Sequence, residues 1–313
     1  MSKELLTCMG RKPLPFMKYK WFFILVSIFF FAGSVYEIGF KGLNFGVDFL
    51  GGTKAVYSFD TSLSIENIRK ATSEMGLDNI DITPFANADG KNEFILRTKY
   101  VEGTQPIDII NASFTKSFGA DKFEVLGQEV VGPKVGADLR KDASLSLFWA
   151  CTFILIYVAV RFDILFAPGA IVALIHDVVI SAGFFAYFGK EFNLPILAAL
   201  LTILGYSIND TIVIYDRIRE NLKGLPKNTP LDTVLDISLT ETLSRTIITS
   251  LTVFIVVVAL FFIGGAVLHD FAFCLIVGVI FGCYSSLFIA TPIYAWLVHV
   301  LPKSGIAAKK QMA

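Results

Sequence analysis

Six stretches of this sequence are long and apolar enough to cross the hydrocarbon core of a lipid bilayer, which takes about 20 helical residues. They cover residues 21–38, 143–160, 165–188, 195–215, 246–268 and 271–298. Only 17% of the 313 residues are charged, whereas soluble domains average about 25%. Basic residues precede the first stretch, but no small-residue cleavage site follows it, so we interpret it as a retained anchor at residues 21–40. The sequence therefore predicts an α-helical polytopic membrane protein with six transmembrane helices.

The distribution of lysine and arginine predicts how these helices are oriented, because short cytoplasmic loops carry an excess of both. If residues 1–20 are cytoplasmic, every short basic loop and the tail at 301–313 lie on the same side of the membrane. The basic residues after the second and fourth stretches and in the tail are Arg161, Arg217, Arg219, Lys223, Lys227, Lys303, Lys309 and Lys310. We therefore expect both termini in the cytoplasm, helices 2 to 6 at residues 141–300, and residues 41–140 outside. The formal net charge is zero, which does not suggest a nucleic-acid partner.

The polar insertion at residues 41–140 has the pattern of a small extracytoplasmic α+β domain. Alternating apolar residues predict strands, and Ser64 is positioned to cap the first of two helices. The elements, in the order strand, helix, strand, strand, helix, strand, cover residues 53–59, 64–75, 80–85, 93–98, 107–118 and 122–131. This is the ferredoxin-like order, with a hairpin turn at 87–91. Because the insertion has no catalytic or phosphate-binding motif, we expect a binding or force-bearing module and not an enzyme.

An acid lies inside the fourth apolar stretch, where Asp210 follows Asn209 in the string GYSIND. A carboxylate at membrane depth is costly, so it is a functional candidate by default. Arg245 begins the fifth stretch, and the antiparallel direction of the two helices brings it to a similar depth. Such a pair takes up or releases a proton when the separation of its charges changes. We therefore predict a proton site at Asp210 and Arg245; the alternative is a static ion pair that fixes helix register.

A second acid, Asp177, lies near the middle of the third stretch, on a helix face with small residues that let neighbouring helices approach. His176 beside it is as consistent with a hydrogen-bonded interior histidine as with a proton relay. Asn209 shares the polar side of the fourth helix with Asp210. We treat Asp177, His176 and Asn209 as secondary candidates for a proton pathway.

Two further features of the apolar stretches bear on packing and chemistry. Gly278 and Gly282 form a GxxxG pair, which predicts close helix packing.

Two intramembrane aspartates also allow an intramembrane aspartyl protease, in which Asp177 and Asp210 would share a proton and activate water. The glycine-aspartate signature typical of such proteases is absent, and the two acids are poorly matched in depth.

The string GVDFLGG at residues 46–52 follows the first apolar stretch. Its glycines permit tight chain reversal, which explains them without any ligand, and the spacing does not fit a phosphate-binding loop. The string also resembles the GxDFxGG signature shared by SecD and SecF, the accessory membrane subunits of bacterial Sec protein export. The matching residues are Gly46, Asp48, Phe49, Gly51 and Gly52.

The resemblance to the SecD/SecF family covers most of the chain. Six spans with one large loop after the first are similar to its SecF branch, as are the strings at 175–177, 205–210, 216–220 and 243–246. It implies half of an assembly related to RND-type transporters, which uses the proton motive force to promote polypeptide translocation across the bacterial inner membrane. The implied partners are SecD, the SecYEG translocon, YajC, an unfolded preprotein and the lipid bilayer. Protons are the implied coupling ion, with no other cofactor. An RND-like exporter of lipids or small molecules is the remaining alternative.

Overall fold

The computed structural model describes residues 10, 12–59, 63–73, 80–86, 92–98, 106–162, 164–226 and 228–301. Segments 1–9 and 302–313 and the turn predicted at 87–91 lie outside the described residues. The elements are α1 (Lys20–Phe40), β1 (Asn44–Phe45), α2 (Val47–Leu50), β2 (Gly52–Phe59), α3 (Ile65–Ser73), β3 (Asp81–Ala86), β4 (Asn92–Thr98), α4 (Pro106–Phe118), β5 (Phe123–Val131), α5 (Pro133–Arg161), α6 (Ala167–Phe188), β6 (Glu191–Phe192), α7 (Leu194–Gly224), α8 (Leu231–Ile263), α9 (Gly265–Ser285) and α10 (Thr291–Val300). A π-helical segment, Ser286–Ala290, joins α9 to α10.

Within the described residues, six helices are long and apolar enough to cross a membrane, as the sequence predicts. They are α1, α5, α6, α7, α8 and the continuous run from α9 to α10. Three extend furthest beyond their apolar stretches, since α5 begins at Pro133, α7 continues to Gly224 and α8 begins at Leu231. Hydropathy detects only the lipid-embedded part of a helix, whereas glutamate, lysine and arginine continue a helix well in water. The apolar stretches therefore cover only part of these three helices, which continue beyond residues 143, 215 and 246.

The insertion between α1 and α5 folds into the predicted ferredoxin-like domain. Its strands lie in the order β3-β4-β2-β5, and all neighbouring pairs are antiparallel. The helices α3 and α4 cover one face of the sheet. Ser64 caps α3 as predicted, because its Oγ accepts a hydrogen bond from the backbone N–H of Asn67 at 3.3 Å. The core between sheet and helices contains Tyr57, Phe59, Ile68, Phe94, Leu96, Ile110 and Phe114.

A two-stranded parallel sheet joins the start of this domain to the membrane helices. Strand β1 pairs with β6, so that Asn44 lies opposite Glu191 and Phe45 lies opposite Phe192. The pairing holds the connection after α1 against the loop between α6 and α7. We call the end of the helix bundle at this junction the domain side, and the opposite end the N-terminal side.

The helices α6, α7 and the α9–α10 run form the centre of the bundle, with 50 to 56% of their spans buried, against 11 to 17% for α1, α5 and α8. The central helices pack closely where glycine leaves room. A Cβ at Gly278 would lie 2.2 Å from Cδ1 of Ile203, and one at Gly282 would lie 3.2 Å from Cβ of Ser207. The GxxxG pair therefore packs α9 on α7, as predicted.

Candidate functional site

Asp210 lies on α7, where this helix packs against α8. The residue is only 3% exposed, and Ser250 Oγ on α8 donates a hydrogen bond to Asp210 Oδ2 over 3.3 Å. Because α7 is uninterrupted from Leu194 to Gly224, the backbone groups around Asp210 are satisfied within the helix. The carboxylate is thus held in a helix–helix interface by a hydroxyl group.

Arg245 lies well inside α8 and does not begin that helix, because α8 starts at Leu231. It is an electrostatic neighbour of Asp210. No salt bridge joins the two side chains, both of which belong to the described part of the chain. Arg245 is exposed and lines a cavity of about 490 Å³ on the N-terminal side, together with Asp216 and Arg217 of α7. The ion pair expected from the sequence is therefore open in this structure.

Asp177 is the most deeply buried acid of the bundle and links three helices. It is 0% exposed on α6. Its Oδ2 accepts hydrogen bonds from Ser207 Oγ of α7 at 2.7 Å and from Ser285 Oγ of α9 at 2.8 Å. Ser207 precedes Asp210 by three residues, so the two acids lie about one helical turn, or about 5 Å, apart in depth along α7.

The other two secondary candidates lie in different surroundings. His176 is buried, and its Nδ1 lies 3.1 Å from Asp177 Oδ1, so the structure brings the two residues together. Its Nε2 is buried without a hydrogen-bond partner among the described residues and lies next to the rings of Phe31 and Tyr284. Asn209, by contrast, is exposed on α7. Of the two, His176 is the one that joins the buried network among the described residues.

Hydroxyl groups continue from Asp177 towards the N-terminal side. Thr211 Oγ1 on α7 and Ser286 Oγ lie 2.8 Å apart, and Thr291 Oγ1 donates to the backbone carbonyl of Ser286. Ser286 begins the π-helical segment, and such turns are frequent at functional sites. These hydroxyl groups do not stand out in the sequence, because serine and threonine are common in membrane helices. The available signal was their position on α7, where Ser207 and Thr211 stand on either side of Asp210.

The geometry does not favour the protease interpretation. The partners of Asp177 are His176, Ser207 and Ser285, whereas the side-chain partner of Asp210 is Ser250. Across the described residues no hydrogen bond connects the two carboxyl groups. Aspartyl catalysis needs two carboxyl groups that share one proton and one water, and this arrangement separates them.

The GVDFLGG motif forms α2 and the turn into β2 on the domain side. Gly51 and Gly52 have φ angles of 77° and 152°, a region that favours glycine. A Cβ at Gly51 would lie 2.8 Å from Cα of Pro133, and one at Gly52 would lie 2.7 Å from the backbone oxygen of Thr98. Chain reversal and close backbone contact therefore explain both glycines, as the sequence analysis proposed.

The first half of the motif contacts the membrane helices. The Asp48 carboxylate accepts a hydrogen bond from the backbone N–H of Leu194, the first residue of α7, over 2.8 Å. Phe49 packs against Phe192, with ring centroids 6.1 Å apart. The backbone N–H of Gly46 donates to the carbonyl of Phe192 over 2.8 Å. These residues fasten the start of the α+β domain to the loop before α7.

Comparison with known proteins gives this architecture a family. A family model described as protein export membrane protein SecD/SecF, C-terminal, matches residues 110–300, and the SecD/SecF GG motif matches residues 38–62. Protein translocase subunit SecF of Desulfurispirillum indicum is 41% identical over 286 residues, which cover 89% of this chain and 90% of that protein. The SecF of Vibrio alginolyticus is 40% identical over 286 residues, which cover 90% and 89%.

A solved structure shows the same fold. The crystal structure of SecDF from Thermus thermophilus, described as a translocon-associated membrane protein, superimposes with a TM-score of 0.80 and 36% identity. The match covers 91% of this chain but 38% of the SecDF chain, so this chain corresponds to one part of that longer protein. The chain belongs to the SecD/SecF family of protein-export membrane proteins.

Proposed function

We propose that this chain is a SecF-type subunit of the Sec export machinery, which uses proton movement through the membrane, together with SecD, to promote polypeptide translocation. Its relatives are named protein translocase subunits, which favours Sec export over export of lipids or small molecules. The proton-driven part rests on one observation, the burial of Asp210 between α7 and α8, beside Arg245 but not paired with it. In this proposal protons are the coupling ion and no further cofactor takes part.

The site has the two properties that coupling requires. The Asp210 carboxylate is shielded from water, and Arg245 is a long side chain at the wall of an open cavity. An arginine that moves into contact favours the deprotonated carboxylate, and its withdrawal favours the protonated one. A conformation with a closed pair would therefore bind protons less well than this open one. That difference in affinity would let a proton gradient shift the equilibrium between the two conformations.

The buried network at Asp177 is the proposed continuation of the proton path towards the domain side. Ser207 lies on α7 between Asp177 and Asp210, and His176 extends the network towards α1. The carboxylate and the histidine can both carry a proton, and the serine hydroxyl can donate and accept. Asp210 and Arg245 remain the primary proposed proton site.

One face of the membrane bundle supports the proposed partnership with SecD. Thr202 and Asn209 on α7 and Arg245 and Thr252 on α8 are exposed in the isolated chain. Polar groups at membrane depth are normally covered by protein or line a water-filled cavity. The SecDF chain is much longer than this one, and we propose that SecD supplies the matching half that covers this face. SecYEG, YajC and an unfolded preprotein are the further partners that the family resemblance suggests.

The proposed location is the bacterial inner membrane, with the α+β domain outside and both termini in the cytoplasm. On the N-terminal side, the ends of α5 and α7 carry Arg161, Arg217, Arg219 and Lys223. Short cytoplasmic connections are enriched in such residues. The N-terminal side is therefore the proposed cytoplasmic side.

The decisive experiment measures preprotein translocation with and without a proton gradient, in membrane vesicles that carry this chain and SecD. Asp210→Asn keeps the size of the side chain and removes its charge, and Arg245→Met removes the opposing charge. Both are expected to abolish the increase in export that the gradient causes, while SecD still co-purifies with the chain. Asp232→Asn is the matched control, because Asp232 lies on α8 but pairs with Lys20 over 3.4 Å, outside the cavity that Arg245 lines.

Three outcomes would contradict the proposal. If an assembled Asp210→Asn complex still exports faster when a gradient is applied, Asp210 is not the coupling site. If Asp210→Asn and Arg245→Met instead prevent co-purification of SecD, the two residues act as a structural pair. Cleavage of a membrane substrate that requires both Asp177 and Asp210 would support the protease.

A further inference from the structure

Among the described residues, three buried carboxylates lie at the junction between the α+β domain and the membrane helices. Asp48 is 6%, Glu93 is 4% and Glu191 is 5% exposed. Burying a carboxylate is unfavourable unless a donor or an opposite charge compensates it. Each of the three finds such a partner across the junction, so these contacts connect two parts of the fold and not neighbours within one part.

Two of the carboxylates bind the ends of membrane helices. Asp48 accepts a hydrogen bond from the backbone N–H of Leu194 at the start of α7 over 2.8 Å. Glu93, on β4 of the domain, accepts one from the backbone N–H of Ala266 at the start of α9 over 3.1 Å. The first N–H groups of a helix lack partners within the helix and favour negative charge. The domain thus holds the starting points of two central helices.

The third carboxylate belongs to the membrane part and is bound by a side chain of the domain. Glu191 lies on β6, in the loop before α7, and Arg97 lies on β4 of the domain. Arg97 Nε and Nη2 approach Glu191 Oε2 at 2.7 Å and 2.6 Å. The remaining guanidinium nitrogen contacts Asp81 and Thr83 on β3 at 3.2 Å and 3.0 Å, which fixes its orientation. A planar guanidinium held in this way gives the pair a defined geometry.

Gly46 shows how closely this pair is enclosed. Its φ of −74° is available to any residue, so the backbone does not require glycine at this position. A Cβ there, however, would lie 2.4 Å from Glu191 Oε1. The first glycine of the GVDFLGG motif therefore makes room for the carboxylate that Arg97 binds. This explanation differs from that of Gly51 and Gly52, which the backbone conformation requires.

The sheet rests directly on the membrane helices through its second face. Val56, Ile95 and Arg97 point away from α3 and α4 and line, with Glu191 and Ala266, a cavity of about 100 Å³. A space of this size holds only a few water molecules. The domain therefore packs on the helix bundle, in addition to its chain connections to α1 and α5.

We propose that Asp48, Glu93 and the Glu191–Arg97 pair form a latch that makes the α+β domain move as one body with the ends of α7 and α9. Gly46 and Arg97 are then positioning residues for export. The proposal rests on the proposed function, because α7 also carries Asp210. Movement of α7 on proton binding would be passed to the domain through the latch.

The test uses the full chain with SecD in lipid vesicles and two readouts. The first is the distance distribution between spin labels on non-natural amino acids at Phe40 and Lys116, which are exposed on α1 and α4. The second is the gradient-dependent part of preprotein export. The latch variants are Gly46→Ala and Arg97→Gln. Their matched controls are Gly39→Ala, where a Cβ meets nothing within 4 Å, and Arg69→Gln, an exposed residue of the same domain.

Both latch variants are expected to broaden the distance distribution and to lower gradient-dependent export at least about fivefold, the lower end of typical coupling between linked sites. SecD should still co-purify, and both controls should behave like wild type. Arg97→Lys keeps the charge but loses the two-nitrogen contact, so we expect an intermediate effect. It also serves as the measurable variant if Gly46→Ala does not accumulate.

The outcomes separate the latch from the proposed function. If the latch variants leave the distances narrow, or broaden them without affecting export, the latch is overturned while the proton site stands. If Asp210→Asn retains gradient-dependent export, the proposed proton site is refuted, and so is the proposed role of the latch in transmitting movement from it. Loss of export in Gly46→Ala and Arg97→Gln with narrow distances would also overturn the latch.

Discussion

The hydrogen bond between Asp177 and Ser207 can be measured by a double-mutant cycle. Asp177→Ala removes an acceptor that two hydroxyl groups share at 2.7 Å and 2.8 Å. Interhelical hydrogen bonds in membranes contribute about 0.6 kcal/mol on average and up to about 1.7 kcal/mol. The Ser207 bond is short and fully buried, which puts it near the upper limit. We therefore expect a coupling energy of about 1.5 kcal/mol between Asp177→Ala and Ser207→Ala.

The assay is reversible unfolding of the full chain in detergent micelles, followed by helix content, for the wild type, the two single variants and the double variant. Asp177→Ala alone should cost about 2–3 kcal/mol, because two interhelical bonds are lost. The control cycle pairs Asp177→Ala with Thr152→Ala, since Thr152 is half-buried on α5 and its hydroxyl donates within its own helix, to the carbonyl of Phe148. That cycle should be additive to within about 0.5 kcal/mol. A Ser207 coupling no larger than the control would refute the network.

Two further predictions concern single contacts. Tyr57 is buried, its hydroxyl donates to Asn111 Oδ1 over 2.7 Å, and burial, helped by Asp108, raises its pKa well above the usual range. The unfolded chain loses the Tyr57 hydroxyl proton near pH 10, whereas the folded chain keeps it. Unfolding titrations should therefore show the free energy of unfolding falling as pH rises above about 10. Tyr57→Phe should lower the free energy of unfolding by about 1 kcal/mol at neutral pH and weaken its fall at high pH. Gly278→Ala should destabilise the bundle by about 1–3 kcal/mol in thermal unfolding and Gly282→Ala by less, since only the former places a Cβ 2.2 Å from Ile203. Ile203→Ala, which removes both atoms that the new Cβ would meet at 2.2 Å, should partly offset the effect of Gly278→Ala, and a failure to do so would contradict the proposed clash.

The sequence predicts the elements of this fold well and the extents of its long helices poorly. Apolar stretches and alternating strand residues are local patterns, so the six membrane helices and the order of the ferredoxin-like domain follow from them. The extension of α8 back to Leu231 does not, because its first turns are polar and resemble a loop in a hydropathy profile. This error placed Arg245 at the start of a helix, when it lies in the middle of one.

In the candidate site too, the sequence reveals some residues and not others. Asp210 and Asp177 stand out in the sequence because an acid in an apolar run is costly wherever it lies. Their partners do not stand out, because Ser250 and Ser285 acquire a role only when three helices pack. Glu191 is a further example, since its partner Arg97 lies 94 residues away and each resembles an ordinary surface charge. Contacts between distant elements of this kind depend on the packing and leave no local pattern.

The helix α7 connects the proposed proton site with the proposed latch. Leu194, which Asp48 binds, and Asp210 lie on the same uninterrupted helix, separated by about 24 Å at about 1.5 Å per residue. A tilt of α7 of about 5° about one of these points would move the other by about 2 Å. A displacement of that size would break the Asp48 hydrogen bond unless the domain followed. The latch therefore converts a small tilt of α7 at the proton site into movement of the whole domain. A domain connected only through α1 and α5 would stay in place while α7 moved.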